Sequence, residues 1–148
     1  VADSAAFAGD FRRNNGEGYS GPAAKAIWLF SDAGPGVYEV FVTYLPGSAA
    51  SSDAPYRVYS DGQLMTEVRV DQQTPPAGEL YQGSVWESLG TVSISQTGLS
   101  VELHDDTQGK VIADAVRLVP IMNDVQIVSV NKSLDQEVVS AVVTVTQP

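Results

Sequence analysis

Apolar residues recur at every second position along most of the chain, and each such run ends at turn residues. Tyr38, Val40, Val42 and Tyr44 share one face of an extended segment, with Glu39 and Thr43 on the other, because strand side chains alternate between faces. Pro35-Gly36 opens that segment and Pro46-Gly47 closes it. Tyr56 and Val58 alternate with Arg57 and Tyr59, and Asp61-Gly62 then predicts a tight turn into a further strand from Met65 to Val70. Gly90 to Ser95, Leu99 to Leu103 and Val111 to Val119 continue the pattern, with turns at Gly98 and Gln108-Gly109. Helical spacing is weak throughout, and Pro22 to Phe30 is the best helix candidate. Short strands punctuated by Gly and Pro predict an all-β chain, a sandwich or jelly roll.

Two stretches depart from the pattern. Asp71 to Trp86 holds Pro75-Pro76, Gly78 and Gly83 with few apolar anchors and predicts a long loop, a common place for function. The second stretch follows Pro120. Val125 to Val130 reads as a strand, Asn131 to Gln136 as a polar turn, and Glu137 to Thr146 as a long strand. Val139, Ala141, Val143 and Val145 line one face of that last strand. Val138, Ser140, Val142, Thr144 and Thr146 line the other. The expected organisation is a sandwich over residues 1–120 and a C-terminal β-strand tail over 121–148, docked on its own sandwich or donated to a neighbouring subunit.

Length and charge narrow the function. A chain of 148 residues suits one domain and buries enough surface to fold without a metal or disulfide. Eighteen acids against eight bases give a formal net charge of -10. That argues against nucleic acid and against an anionic membrane, which both need a basic face. No apolar run reaches the ~18 residues of a membrane span. With no cysteine there are no disulfides, thiol nucleophiles or thiolate metal sites. A start at Val1-Ala2-Asp3 is what a processed export precursor shows, and equally a trimmed piece of a longer chain.

Five segments together resemble the golvesin C-terminal-like family, also seen as a domain of xanthan lyases. They are Gly36-Val-Tyr-Glu-Val-Phe-Val-Thr-Tyr44, Asp53-Ala-Pro-Tyr-Arg-Val-Tyr59, Val70-Asp-Gln-Gln73, Trp86-Glu-Ser-Leu-Gly-Thr91 and Val111-Ile-Ala-Asp-Ala-Val-Arg117. The resemblance runs from Gly36 to Leu118, is loose from Asp3 to Phe30, and includes nothing after Pro120. It implies a jelly-roll-like β-sandwich of large secreted or surface bacterial proteins, carbohydrate-binding-like, with no catalytic role and no defined set of binding residues. The expected fold is therefore an all-β, jelly-roll-like antiparallel β-sandwich with an additional C-terminal strand segment.

The residues offer three kinds of chemistry. Catalysis is poorly served: His104 is the sole histidine, which leaves few routes to a Ser-His-Asp arrangement, and no signature singles out a carboxylate pair. Calcium would take oxygen ligands from acids in turns. Asp105 and Asp106 sit in one, and Asp114 lies inside a strand where an acid needs a partner or a metal. A hydrogen-bonded or arginine-paired structural carboxylate is the competing reading of Asp114. Sugar binding needs exposed aromatic faces beside hydrogen-bonding groups. Tyr81 in the long loop leads, followed by Tyr59, Phe41 and Tyr19, whereas Trp86 is expected in the core. Asn131 opens an Asn-Lys-Ser glycosylation triplet on an exposed turn.

Two functions follow from these features. In the first, the chain is a non-catalytic extracellular structural subunit that assembles with identical subunits into a filament or surface layer through its tail strand. In the second, it is a carbohydrate-binding or adhesion module of a secreted or cell-surface protein, with glycans as partners.

The alternation within the tail is testable by substitution. Val139, Ala141, Val143 and Val145 should enter a core together, so Val143→Asp should abolish docking by burying an unpartnered carboxylate. Thr144→Asp should be mild. Thermal melts and sedimentation report both variants, and equal damage would mean that the strand is buried on both faces.

Overall fold

The computed structural model describes residues 4–9, 11–14, 24–122, 125–132 and 139–145. Its strands are β1 (Arg12–Arg13), β2 (Lys25–Phe30), β3 (Gly36–Thr43), β4 (Ala54–Ser60), β5 (Gln63–Val70), β6 (Glu79–Tyr81), β7 (Ser84–Ile94), β8 (Leu99–His104), β9 (Ile112–Ala113), β10 (Ala115–Pro120), β11 (Val125–Lys132) and β12 (Val139–Val145). Two four-stranded sheets, in the orders β10-β3-β7-β6 and β2-β8-β4-β5, are antiparallel throughout. The period-two residues of both sheets meet in one core. Val40, Val42, Tyr44, Leu89, Val92 and Ile94 come from the first sheet and its margin, and Ala54, Tyr56, Val58, Leu99, Val101 and Leu103 from the second. This is an all-β sandwich. Asp61 and Gly62, at φ 49° and 71°, make the expected turn, whose two positive φ values match the twist of β4 and β5.

Two expectations are corrected. The helix candidate Pro22 to Phe30 contains β2, whose Ala26, Trp28 and Phe30 pack on the core while Lys25, Ile27 and Leu29 face outward. Apolar residues on both sides of the strand hid its alternation. The long loop Asp71 to Trp86 is half hairpin: β6 turns into β7 at Gln82 and Gly83, both with positive φ.

A buried glutamine ties the loops to the sheets. Gln72 is fully buried. Its Nε2 donates to the Ile112 carbonyl at 2.8 Å and the Tyr56 hydroxyl at 3.1 Å, and its Oε1 accepts the Ile112 amide at 2.8 Å. Its own amide donates to the Ser51 carbonyl, and its carbonyl accepts from the Gly47 amide. Every polar group of the residue is thus satisfied away from water, the condition under which a buried amide is tolerated.

The outer face of the second sheet carries a ladder of charges. Arg57 bonds Glu67 at 2.7 Å and Asp106 at 2.6 Å, Arg69 bonds Glu67, and Lys25 bonds Glu102 at 2.9 Å. The Arg57 hydrogen bond holds the Glu67 carboxyl below its usual range. Partial burial pushes Glu102 and Asp106 upward, but the bonds from Lys25 and His104 to Glu102, and from Arg57 to Asp106, outweigh it and leave both lowered.

In the tail, β12 forms, and its ladder partner is β11 of the same chain, with Val145 opposite Val125, Val143 opposite Ile127 and Val139 opposite Lys132. Among the described residues no ladder joins this hairpin to either four-stranded sheet. The strand of Val139, Ala141, Val143 and Val145 thus has a local ladder partner, and what its side chains pack against lies outside the described residues. Asn131, expected on an exposed turn, lies within β11 opposite Ser140. No helix among the described residues is long and apolar enough to cross a membrane.

Gln72→Leu should strand the Tyr56 hydroxyl and both backbone groups of Ile112, at ~1–3 kcal/mol for each group left unsatisfied. A fall of that order in the urea unfolding free energy is the expected result, and an unchanged midpoint would show that the amide is dispensable. The charge ladder predicts the pH response. Carboxyls with lowered folded pKa values contribute stability that is present above their unfolded values, roughly 4, and is lost as pH falls through the folded values. Melting temperature should be flat from neutral pH to about 5 and drop below roughly 4, with the drop blunted by salt. Circular dichroism melts across that range test this, and a flat profile down to pH 3 would count against the ladder.

Candidate functional site

Across the outer face of the second sheet, register places Leu29 of β2, Ser100 of β8, Tyr59 of β4 and Leu64 of β5 in one row. Leu29 is 73% exposed and Leu64 is 53% exposed, and the Tyr59 ring is half-buried between their strands. A register shift falls between Val58 and Tyr59, and such bulges re-aim the side chains beside them. An open groove of ≈ 470 Å³ runs past Tyr59, with Leu29, Ser100, Asp61, Lys25 and Glu102 along it. Its volume lies in the range of roughly 300–1,000 Å³ that small-molecule sites occupy. The floor is aromatic and aliphatic, and the rim bears the Ser100 and Thr97 hydroxyls, two carboxylates and an ammonium.

The rim is suited to holding a hydroxylated ring. Glu102 accepts from Lys25 Nζ through both oxygens, at 2.9 and 3.0 Å, and lies 2.7 Å from His104 Nε2. Its lowered pKa keeps it ionised, an acceptor for hydroxyl groups. Glycoside hydrolysis instead requires one carboxyl held protonated near neutral pH, and Glu102 is shifted the opposite way. The sole histidine is engaged with Glu102.

The other aromatic candidates fall elsewhere. Phe41, expected to offer an exposed face, is 7% exposed because Arg117 of the neighbouring strand β10 lies over its ring, 4.6 Å from the centroid. The same guanidinium stands 4.2 Å from the Tyr81 centroid and 5.4 Å from that of Trp86, and it is ion-paired with Glu79. Tyr81 is 42% exposed, but one ring face is occupied by this cation. Trp86, expected in the core, is buried, but in this second cluster on the outer face of the first sheet rather than between the sheets, with Phe7 edge-on to its ring at 5.2 Å. A Cβ at Gly78 would collide with the Trp86 carbonyl, so glycine is required where the β6 hairpin folds down. The cluster is an anchor for that hairpin. Tyr19 lies outside the described residues, as do the side chains of Asn131, Val139, Ala141, Val143 and Val145.

The calcium candidates are dispersed. Asp106 pairs with Arg57, Asp114 Oδ2 accepts the Phe7 amide at 3.0 Å, and Asp105 lines a different cleft. No metal-ligating group of three such side chains occurs among the described residues. The hydrogen-bonded reading of Asp114 is the one the geometry supports. Leu29, Asp61, Ser100 and Glu102 were not singled out from the sequence. The alternation Lys25-Ile27-Leu29 opposite Ala26-Trp28-Phe30 was the available signal.

No curated protein matches the chain. Among solved structures, Paenibacillus xanthan lyase is similar at 23% identity with a TM-score of 0.63, over 80% of this chain and 11% of that one. The chain thus spans about a ninth of that protein's length, and the likeness is one of fold. The family model described as the golvesin C-terminal domain matches residues 2–120. That span takes in both four-stranded sheets and the strands that carry the Tyr59 groove, and over it the chain belongs to the golvesin C-terminal domain family.

Proposed function

We propose that the chain is a non-catalytic carbohydrate-binding or adhesion module of a secreted or cell-surface protein, and that its sugar site is the groove at Tyr59. The observation that carries the reading is the half-buried Tyr59 ring set in an open groove beside Ser100, Asp61 and Glu102. Apolar C–H faces of a sugar ring pack on an aromatic face while its hydroxyls donate to carboxylates at the rim. Membership of the golvesin C-terminal domain family supports this reading. So does a fold shared with a protein named as a lyase of xanthan. The lowered pKa of Glu102 favours binding over hydrolysis. Assembly into a filament through the tail strand has less behind it. The described backbone of β12 is paired with β11 of its own chain, and neither the family nor the fold likeness adds support.

Tyr59→Ala should weaken glycan binding about tenfold, the effect of losing one aromatic stacking contact of ~1.5 kcal/mol, with the melting temperature nearly unchanged. Tyr81→Ala should leave affinity within about twofold and instead loosen the β6 hairpin, since that ring holds Arg117. Glycan-array screening followed by calorimetry on the best hit measures both. Full affinity in the Tyr59 variant would sink the assignment of the site.

A further inference from the structure

The cationic side chains divide in an unexpected way. Lys25, Arg57, Arg69 and Arg117 are each ion-paired. The side chains of Arg12, Arg13 and Lys110 have no hydrogen-bond or ion-pair partner among the described residues. These three gather at one end of the sandwich. Arg12 and Arg13 form β1, which pairs with β9, and Lys110 lies two residues before β9. In a chain with 18 acids and eight bases, three cations whose side chains have no partner among the described residues, gathered at one end, give that end a local field opposite in sign to the net charge.

Between β1 and the β2–β8 edge lies a cleft of ≈ 190 Å³ with Arg12, Arg13, Lys25 and Asp105 around an aliphatic floor that includes Leu103 and Val111. Asp105 Oδ1 is buried there without a hydrogen-bond partner among the described residues, an acceptor awaiting a donor. The cleft therefore offers guanidinium forks for a planar anion and one acceptor for a hydroxyl. A sugar residue carrying both a carboxylate and hydroxyls supplies the matching groups. Lys25 also lines the Tyr59 groove, so the two depressions adjoin along β2.

We infer that this cleft is a second subsite that takes a hexuronate residue of an acidic polysaccharide whose neighbouring ring lies on Tyr59. The carboxylate of the sugar meets the arginine edge of β1 that lines the cleft, and one of its hydroxyls donates to Asp105. The inference rests on the carbohydrate-binding reading and adds the class of sugar. Arg12 and Arg13 are exposed, so their replacement leaves the core intact.

The test is calorimetry of the full chain at low salt with three probes: a galacturonate trisaccharide, a neutral trisaccharide and a sulfated one. The galacturonate probe should bind about tenfold more tightly than the neutral probe, the size of one charge-assisted hydrogen bond. Arg12→Ala/Arg13→Ala should remove that preference and keep neutral binding, at an unchanged melting temperature. High salt should shrink the preference in the unsubstituted protein. Equal binding of galacturonate and neutral probes, or a preference that survives the double substitution, overturns the inference and leaves the Tyr59 reading standing. Sulfate binding as tight as galacturonate overturns the uronate assignment. Galacturonate binding that is unaffected by Tyr59→Ala overturns the groove reading and keeps the cationic subsite. Failure of all three probes to bind overturns both.

Discussion

The side-chain amide of Gln72 is the contact on which the arrangement of the molecule turns. A sandwich holds its two sheets by apolar packing, which is strong but does not fix where the connecting loops lie. Gln72 supplies the missing direction. It leaves the end of β5, reaches the Tyr56 hydroxyl on β4 and pairs with both backbone groups of Ile112 in β9, while its own backbone holds Gly47 and Ser51. Burial pushes the Tyr56 phenol far up, so that hydroxyl stays protonated and available. Ile112 in turn pairs with Arg13. The position of the cationic edge is therefore set, through two strands, by one buried amide.

The fold was legible in the sequence wherever one face of a strand is apolar and the other polar. β3 and the β4–β5 hairpin read directly from Tyr38-Val40-Val42 and from Asp61-Gly62. β2 did not, because Ile27 and Leu29 are apolar residues on an outer face, and a strand that is apolar on both sides has no period to detect. The hairpin at Gln82-Gly83 was missed for a related reason: β6, Glu79–Tyr81, is too short for alternation to register. Val70-Asp-Gln-Gln73 was visible only as part of a family resemblance. Its physical content, a buried amide with every group satisfied, depends on partners scattered from Gly47 to Ile112.

The candidate site was half legible. Tyr59 was recognised as facing away from the main apolar set of its strand, and that placement follows from alternation alone. Phe41 met the same criterion and is nevertheless covered, because what lies over it comes from β10, a neighbour that sequence spacing does not reveal. Tyr81 was favoured for lying in a polar loop, yet Arg117 occupies its ring. Alternation assigns a face; only tertiary pairing decides whether that face meets water or a cation. The same limit applied to the acids. Asp105, Asp106 and Asp114 are near in sequence, but Arg57 and the Phe7 amide draw two of them apart.

Arginine serves two purposes here, and the contrast explains why the net charge misleads. Arg117 stands over three aromatic rings and pairs with Glu79. Its charge is neutralised and its plane is spent on packing, so it contributes to holding the β6 hairpin and little to the outer field. Arg12 and Arg13 make no such contact among the described residues and lie exposed on a two-residue strand. A total of -10 is compatible with a local anion site because screening confines each charge to about 10 Å at ordinary ionic strength. A ligand at β1 responds to the cations beside it far more than to carboxylates on the opposite end. Overall acidity excludes a broad polyanion lying across the whole surface, such as a nucleic acid duplex. It leaves room for a chain whose charges are spaced one per sugar and presented at a single edge.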